Sequence, residues 1–91
     1  MINANSCTII DVRSADEFDR FRIPNAINID ILSTSAYDEL ASLPRDGKYL
    51  IYCALGVRSR SAIKLMEQLG FSNLNHLTNG ILNFSGAIDN H

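Results

Sequence analysis

The apolar positions of this chain fall into short runs whose spacing switches between the strand period of two and the helical period of about 3.6. Cys7-Thr8-Ile9-Ile10-Asp11-Val12 is rich in β-branched and apolar residues, the pattern of a strand buried on both faces. After Arg13, Ser14 with Glu17 three residues later forms a capping-box sequence, which predicts a short helix through Phe18 and Phe21. Ile23-Pro24-Asn25 ends that helix, because the residue before a proline avoids the α region. Ala26-Ile27-Asn28-Ile29 predicts a second short strand.

Ser33-Thr34-Ser35 offers hydroxyl caps to a helix over residues 36–43, where Tyr37, Leu40 and Leu43 recur at helical spacing. Pro44-Arg45-Asp46-Gly47 is turn chemistry and leads into the strand Tyr49-Leu50-Ile51-Tyr52. Beyond a short loop from Cys53, a helix runs to Leu69 with Arg60, Lys64, Glu67 and Gln68 on one side and Ala62, Ile63, Leu65, Met66 and Leu69 on the other. On the same wheel Arg58 turns inward toward the loop and Arg60 turns outward. Gly70 stands at the C′ position. Asn73-Leu74-Asn75-His76-Leu77 predicts a weaker strand, Thr78-Asn79-Gly80 a turn, and Ile81-Leu82-Asn83-Phe84 the start of a last helix. Strands alternating with helices predict an α/β fold with a parallel sheet and helices on both faces, in a single domain over residues 1–91.

Composition and charge narrow the function classes. At 91 residues the chain is near the small end of what folds alone and buries about 60% of its unfolded surface. Its 46% hydrophobic and 20% charged residues are ordinary for a globular domain. With 8 Lys and Arg against 10 Asp and Glu, it is a poor candidate for a sequence-independent nucleic-acid binder or for a protein held on an anionic membrane. No apolar run approaches the roughly 20 residues of a membrane span, and Met1-Ile2-Asn3-Ala4-Asn5-Ser6 lacks the basic start and apolar stretch of a signal peptide. The expectation is a cytoplasmic protein. Cys7 and Cys53 are too few for a disulfide scaffold and are not spaced as metal ligands, so neither a metal nor a cofactor is expected. A parallel sheet puts the two thiols at opposite edges, some 16 Å apart at about 3.3 Å per residue. That exceeds the roughly 7 Å reach of a disulfide.

The chemistry concentrates between Tyr52 and Ser59. A loop joining the carboxyl end of a strand to the amino end of a helix offers free N–H groups and the positive end of the helix dipole. A cysteine there forms a thiolate more readily than a free one, which makes Cys53 a candidate nucleophile. Gly56 fits a backbone turn that a side chain would obstruct. A cation such as Arg58 at a helix start opposes the dipole, so its presence points to a ligand or partner. Arg60 and Lys64 read as a solvated face that, with Arg20 and Arg22, forms a basic rim able to steer anions. Arg22 is an outside candidate for a substrate contact, Asp11 serves equally as a turn-forming carboxylate, and His76 reads as structural.

Three segments in order resemble the rhodanese-like sulfurtransferase domain: Ile10-Asp11-Val12-Arg13 with Glu17-Phe18 and Ile23 to Asn28; Tyr52-Cys53-Ala54-Leu55-Gly56-Val57-Arg58-Ser59; and Leu69-Gly70-Phe71 with Asn79-Gly80-Ile81. The resemblance spans Thr8 to about Phe84 and implies a compact version of that fold, with about four or five strands. It implies that Cys53 carries a sulfane sulfur as a persulfide, moving it from a small donor to a small acceptor or an acceptor protein. Ala54, Leu55, Gly56, Val57 and Arg58 would cradle that sulfur, Arg58 and Arg13 would meet substrate, and Asp11 and Ser59 would support the loop. Asn25 stands where the family often has glycine, Phe21-Arg22 where it often has glycine and histidine, and Asn79-Gly80 where it has paired glycines. A monomer or weak dimer is expected. Other readings are a cysteine-dependent phosphatase or arsenate reductase, for which the four residues between Cys53 and Arg58 make a narrow loop, and a non-catalytic or redox-sensing binding module.

Overall fold

The computed structural model of the chain describes residues 7–90; residues 1–6, read above for signal-peptide features, lie outside them. Its centre is a four-stranded sheet in the order β3-β1-β4-β5, formed by Thr8–Asp11 (β1), Ile27–Asn28 (β3), Tyr49–Tyr52 (β4) and Leu74–His76 (β5). Every pairing in it is parallel. The register aligns Thr8 with Tyr49 and Asp11 with Tyr52, so β1 and β4 end level. Chain order reverses between these two central strands, and the segments after them diverge there, at the switch point where open α/β sheets place ligands. Arg13 follows one strand and Cys53 the other.

Alternation along the strands divides the core. Ile10 and Ile51 face a cluster with Val12, Ile29, Ala36, Leu40, Tyr49, Ala62, Met66 and Phe71, which buries the helices Ala36–Ala41 (α2) and Val57–Gln68 (α3). Ile9 and Tyr52 face the other way, into a cluster of Ile23 and Ile81 with Phe21, Ala26, Leu77, Phe84 and Ile88 around it. That second face is closed by the segment after the helix Ala15–Arg20 (α1), by a 3₁₀ turn at Ile81–Asn83, and by a two-residue antiparallel pairing of Phe21–Arg22 (β2) with Asp89–Asn90 (β6).

Local chemistry explains most boundaries. The Ser14 hydroxyl accepts from the Glu17 N–H at 3.3 Å while the Glu17 carboxylate accepts from the Ser14 N–H at 3.0 Å, so the capping box is formed. Helix α3 ends in a Schellman motif: Phe71 N–H donates to the Met66 carbonyl, Gly70 N–H donates to that of Glu67, and Gly70 has φ +100°. Asn25 has φ +70°, the left-handed conformation that asparagine tolerates better than other side-chain-bearing residues, which accounts for it in a glycine-favouring position.

Three expectations are corrected. Helix α1 stops at Arg20, because Phe21 is extended and pairs with Asn90. Ser35 makes no side-chain cap on α2; its hydroxyl is spent on Glu39 instead. The last helix is a single 3₁₀ turn, since Phe84 N–H bonds back to Ile81 and the chain then extends. Among the described residues no helix is long and apolar enough to cross a membrane, and both Cys7 and Cys53 are free thiols.

Candidate active site at the strand β4 to helix α3 junction

Strand β4 carries Cys53 to the carboxyl edge of the sheet, and the loop from Ala54 turns the chain into α3. Gly56 makes that turn at φ +100°, with its Cα packed so tightly on Thr78 that an added Cβ would lie 2.1 Å from the Thr78 carbonyl oxygen. The loop is clamped from outside as well. Ile81 N–H donates to the Cys53 carbonyl at 2.9 Å and Leu82 N–H to that of Ala54 at 3.2 Å. These bonds bring Gly80 onto the loop, at φ +78°, where a Cβ would meet the Ala54 oxygen at 2.0 Å. Of the Asn79-Gly80 pair only Gly80 makes this close approach, and Asn79 is exposed.

Gly80→Ala therefore must displace backbone. We expect it to cost about 1–3 kcal/mol by overpacking and a further 1–3 kcal/mol or so by forcing alanine into a positive-φ, extended-ψ conformation that is essentially confined to glycine. A urea midpoint within error of wild type would refute the clamp.

Cys53 is 1% exposed and its sulfur is surrounded by donors. The N–H groups of Gly56 and Ser59 point at Sγ from 3.0 and 3.3 Å, and the Ser59 hydroxyl lies 3.4 Å away. Burial alone pushes the thiol pKa up, but hydrogen bonds from the Ser59 side chain and from the Ser59, Gly56 and Leu55 backbone outweigh it, so the net shift is downward. Of the expected cradle, Gly56 and Leu55 thus contribute through their backbones. Ala54 contributes its carbonyl to the outside clamp, and the Leu55 and Val57 side chains stand 60% and 67% exposed.

Arg58 and Arg13, both expected to meet substrate, are each engaged by a carboxylate of the chain. Both terminal nitrogens of Arg58 bond the Glu17 carboxylate, at 2.7 and 2.9 Å, bridging α3 to α1. The Arg58 bond, with help from Ser14 and against the opposing effect of burial, lowers the Glu17 pKa to about 2. The cation near the sulfur is therefore already matched by an anion, a pairing that spacing could not show because the residues are 41 apart.

Arg13 is 1% exposed and faces inward. Its guanidinium bonds both Asp11 carboxylate oxygens, at 2.6 to 3.1 Å, and the Phe21 carbonyl at 2.6 Å. The Phe21 and Tyr52 rings lie 5.1 and 5.7 Å from it. Arg13, expected to meet substrate, neutralises Asp11 and ties the end of β1 to Phe21 and to the Tyr52 ring at the end of β4. Asp11, expected to support the loop, is buried and spends its carboxylate on Arg13. Arg22 is half-buried, with its guanidinium over the Phe18 ring at 4.5 Å and donating to the Phe18 carbonyl, while Arg60 and Lys64 line a shallow groove on the outer face of α3 with Val57 and Ser61.

Ser59 meets the sulfur and also links it to His76, which by sequence reads as structural. Its buried hydroxyl lies 2.6 Å from His76 Nε2 on β5. A histidine on a weak strand carries no signal of this by itself. Only the pairing of Ile51 with His76, which sets β5 beside β4, brings the ring to the amino end of α3. Among the described residues no group of three or more His, Cys, Asp or Glu side chains is placed to hold a metal.

A family model for the rhodanese-like domain matches residues 1–87. Over 74 residues the chain is 38% identical to the Mycobacterium tuberculosis protein named "Probable adenylyltransferase/sulfurtransferase MoeZ", covering 81% of this chain and 19% of that protein. It is 32% identical over 79 residues to the tRNA uridine(34) hydroxylase of Bdellovibrio bacteriovorus, covering 84% and 23%. The chain spans about a fifth of the length of these relatives. Among solved structures, a rhodanese-related protein from Thermoplasma volcanium matches with a TM-score of 0.79 and 33% identity over 90% of this chain and 82% of that one. A rhodanese from E. coli, solved with anions, shares the fold at a TM-score of 0.78 and 19% identity, over 94% of this chain and 100% of that one.

Proposed function

The chain belongs to the rhodanese-like domain family, and from that membership we propose that it is a sulfurtransferase working through a persulfide on Cys53. The observation that carries this reading is the convergence of the Gly56 and Ser59 amides and the Ser59 hydroxyl on a single sulfur atom. The Cys53 thiolate attacks the outer sulfur of a donor, the donor's S–S bond breaks, and its electron pair leaves with the remaining fragment. What remains is Cys53–S–S⁻, whose terminal charge suits a loop of amide donors at a helix N-terminus. A thiophilic acceptor, either a small molecule or a protein, then takes the outer sulfur and restores the thiolate. All the groups involved lie in one chain, so a monomer suffices, and the scheme needs no metal or cofactor.

The charge pattern favours a donor of low charge. Glu17 neutralises Arg58, and the exposed apolar side chains of Leu55 and Val57 border the loop, so a free dianion such as thiosulfate meets an arginine whose charge is already matched. A persulfide carried on a small molecule or a protein fits better. Incubation with a panel of such donors, followed by intact-mass measurement without reductant, should show the gain of one sulfur atom; no gain with any donor sinks the proposal.

Glu17→Gln tests the charge argument, because glutamine also serves at the third position of a capping box. Freed of its partner, Arg58 should raise the rate with thiosulfate roughly two- to fivefold, the scale of a solvent-screened ion pair. The rate with an alkyl persulfide donor, whose terminal sulfur transfers in the same step but carries a single charge, should change less. An unchanged ratio of the two rates overturns the argument.

A further inference from the structure

The Ser59 hydroxyl has one proton and three acceptors within reach: Cys53 Sγ at 3.4 Å, the Gly56 carbonyl at 3.1 Å and His76 Nε2 at 2.6 Å. Counting protons couples two of them. With the Ser59 proton on the His76 side, the oxygen is free to accept from a Cys53 S–H. With that proton turned to a Cys53 thiolate, the 2.6 Å contact survives only if His76 Nε2 brings a proton of its own. Burial makes the same chain the route out. Cys53 and Ser59 are 1% and 0% exposed, whereas His76 is only partly buried.

We propose that His76 is a positioning residue that sets the ionisation of Cys53 through Ser59. As the S–H bond of Cys53 breaks, its proton goes to Ser59 Oγ, while the original Ser59 proton passes to His76 Nε2. The outcome is a thiolate and an imidazolium with no change in total charge and no redox step. The Gly56 carbonyl favours the protonated ring, against burial and the nearby charge of Arg60, which together hold the His76 pKa down. A depressed imidazole returns its proton to solvent readily, so the relay delivers a thiolate rather than trapping an ion pair.

Arg58 on α3 is paired with Glu17, which raises its pKa further. Burial lowers the pKa of Arg13, just after β1, but its bonds to Asp11 outweigh that and raise it. Arg60 on α3 is the charged neighbour that bears on the His76 ring. Glu17 on α1 is ionised above a pH of about 2. Burial pushes the Tyr52 phenol above its ordinary range.

This deepens the proposed function and rests on it in taking the thiolate as the reacting form. Its test needs no sulfur donor, so failure of the relay and failure of sulfur transfer are read separately. The rate of Cys53 alkylation by iodoacetamide, measured from pH 5 to 9, should show an inflection in the histidine range beside that of the thiol. His76→Gln, which keeps a hydrogen-bonding group but cannot titrate, should lose that inflection and react roughly tenfold more slowly at pH 7, the low end of general acid–base effects. Ser59→Ala should lose it as well. Because Ser59 is buried, a measurement on the unaltered protein stands beside the variants: the His76 ring, followed by NMR, should shift its titration when Cys53 ionises, since coupling between sites is reciprocal. A wild-type alkylation profile in His76→Gln, or a His76 titration blind to Cys53, overturns the proposal.

Discussion

Cys53→Ser should lose the sulfur gain completely and lower sulfur transfer by roughly a thousandfold or more, the scale seen when a covalent nucleophile is removed. Serine is nearly isosteric, and its oxygen can still accept from the amides of Gly56 and Ser59 that now meet Sγ at 3.0 and 3.3 Å. The fold should therefore survive, with a stability within about 1.5 kcal/mol of wild type. What disappears is the atom that forms the S–S bond. Cys7→Ser makes the necessary comparison: this thiol sits just before β1, at the amino edge of the sheet, outside the loop that holds Cys53. Full sulfur loading in Cys7→Ser with none in Cys53→Ser is the expected mass spectrum. Retained loading in Cys53→Ser would assign the chemistry to Cys7 and remove the basis of the proposed function.

Asp11→Asn should destabilise the domain by about 3–5 kcal/mol, because it leaves the Arg13 charge buried without its partner. Both residues are essentially unexposed, and the carboxylate takes the Arg13 backbone N–H at 2.9 Å in addition to the guanidinium. Domains of this size have only about 5–15 kcal/mol in total, so the urea midpoint should fall steeply. Replacing Arg13 as well, in Asp11→Asn with Arg13→Met, should recover much of the loss, since a buried ion pair exchanged whole for apolar or neutral groups often costs little. A cost under 1 kcal/mol for the single change would show that water reaches the pair. The effect should also reach the chemistry. Asp11 is level with Tyr52 across the sheet, and the Val12 N–H bonds the Tyr52 carbonyl at 3.0 Å, one residue before the nucleophile.

Local rules were readable wherever a few neighbouring residues decide the structure. The Ser14–Glu17 box and the Gly70 terminus of α3 formed as their sequences imply, because each closes its hydrogen bonds within four or five residues. Strand β4 and the loop from Cys53 were equally plain. The misses fall where a distant partner competes with a local preference. Phe21 looks helical by its spacing but ends α1 by pairing with Asn90; Ser35 is the local exception, its capping hydroxyl taken by Glu39 four residues on. Nothing in the surroundings of Arg58 along the chain reveals that Glu17 holds it.

Residues 49–69 on their own place a cysteine at the carboxyl end of an apolar strand, before a glycine turn and an amphipathic helix, which makes it a candidate nucleophile in a loop of amides. What that cysteine is connected to depends on sheet order and register. The reversal of strand order between β1 and β4 set the Asp11–Arg13 pair beneath the loop, Gly80 against its outer side, and His76 within 2.6 Å of Ser59. Hydrogen bonds and ion pairs act over about 3 Å of space and are indifferent to separation along the chain. Periodicity can say which face a residue takes, while sheet order and register decide which residue it meets there.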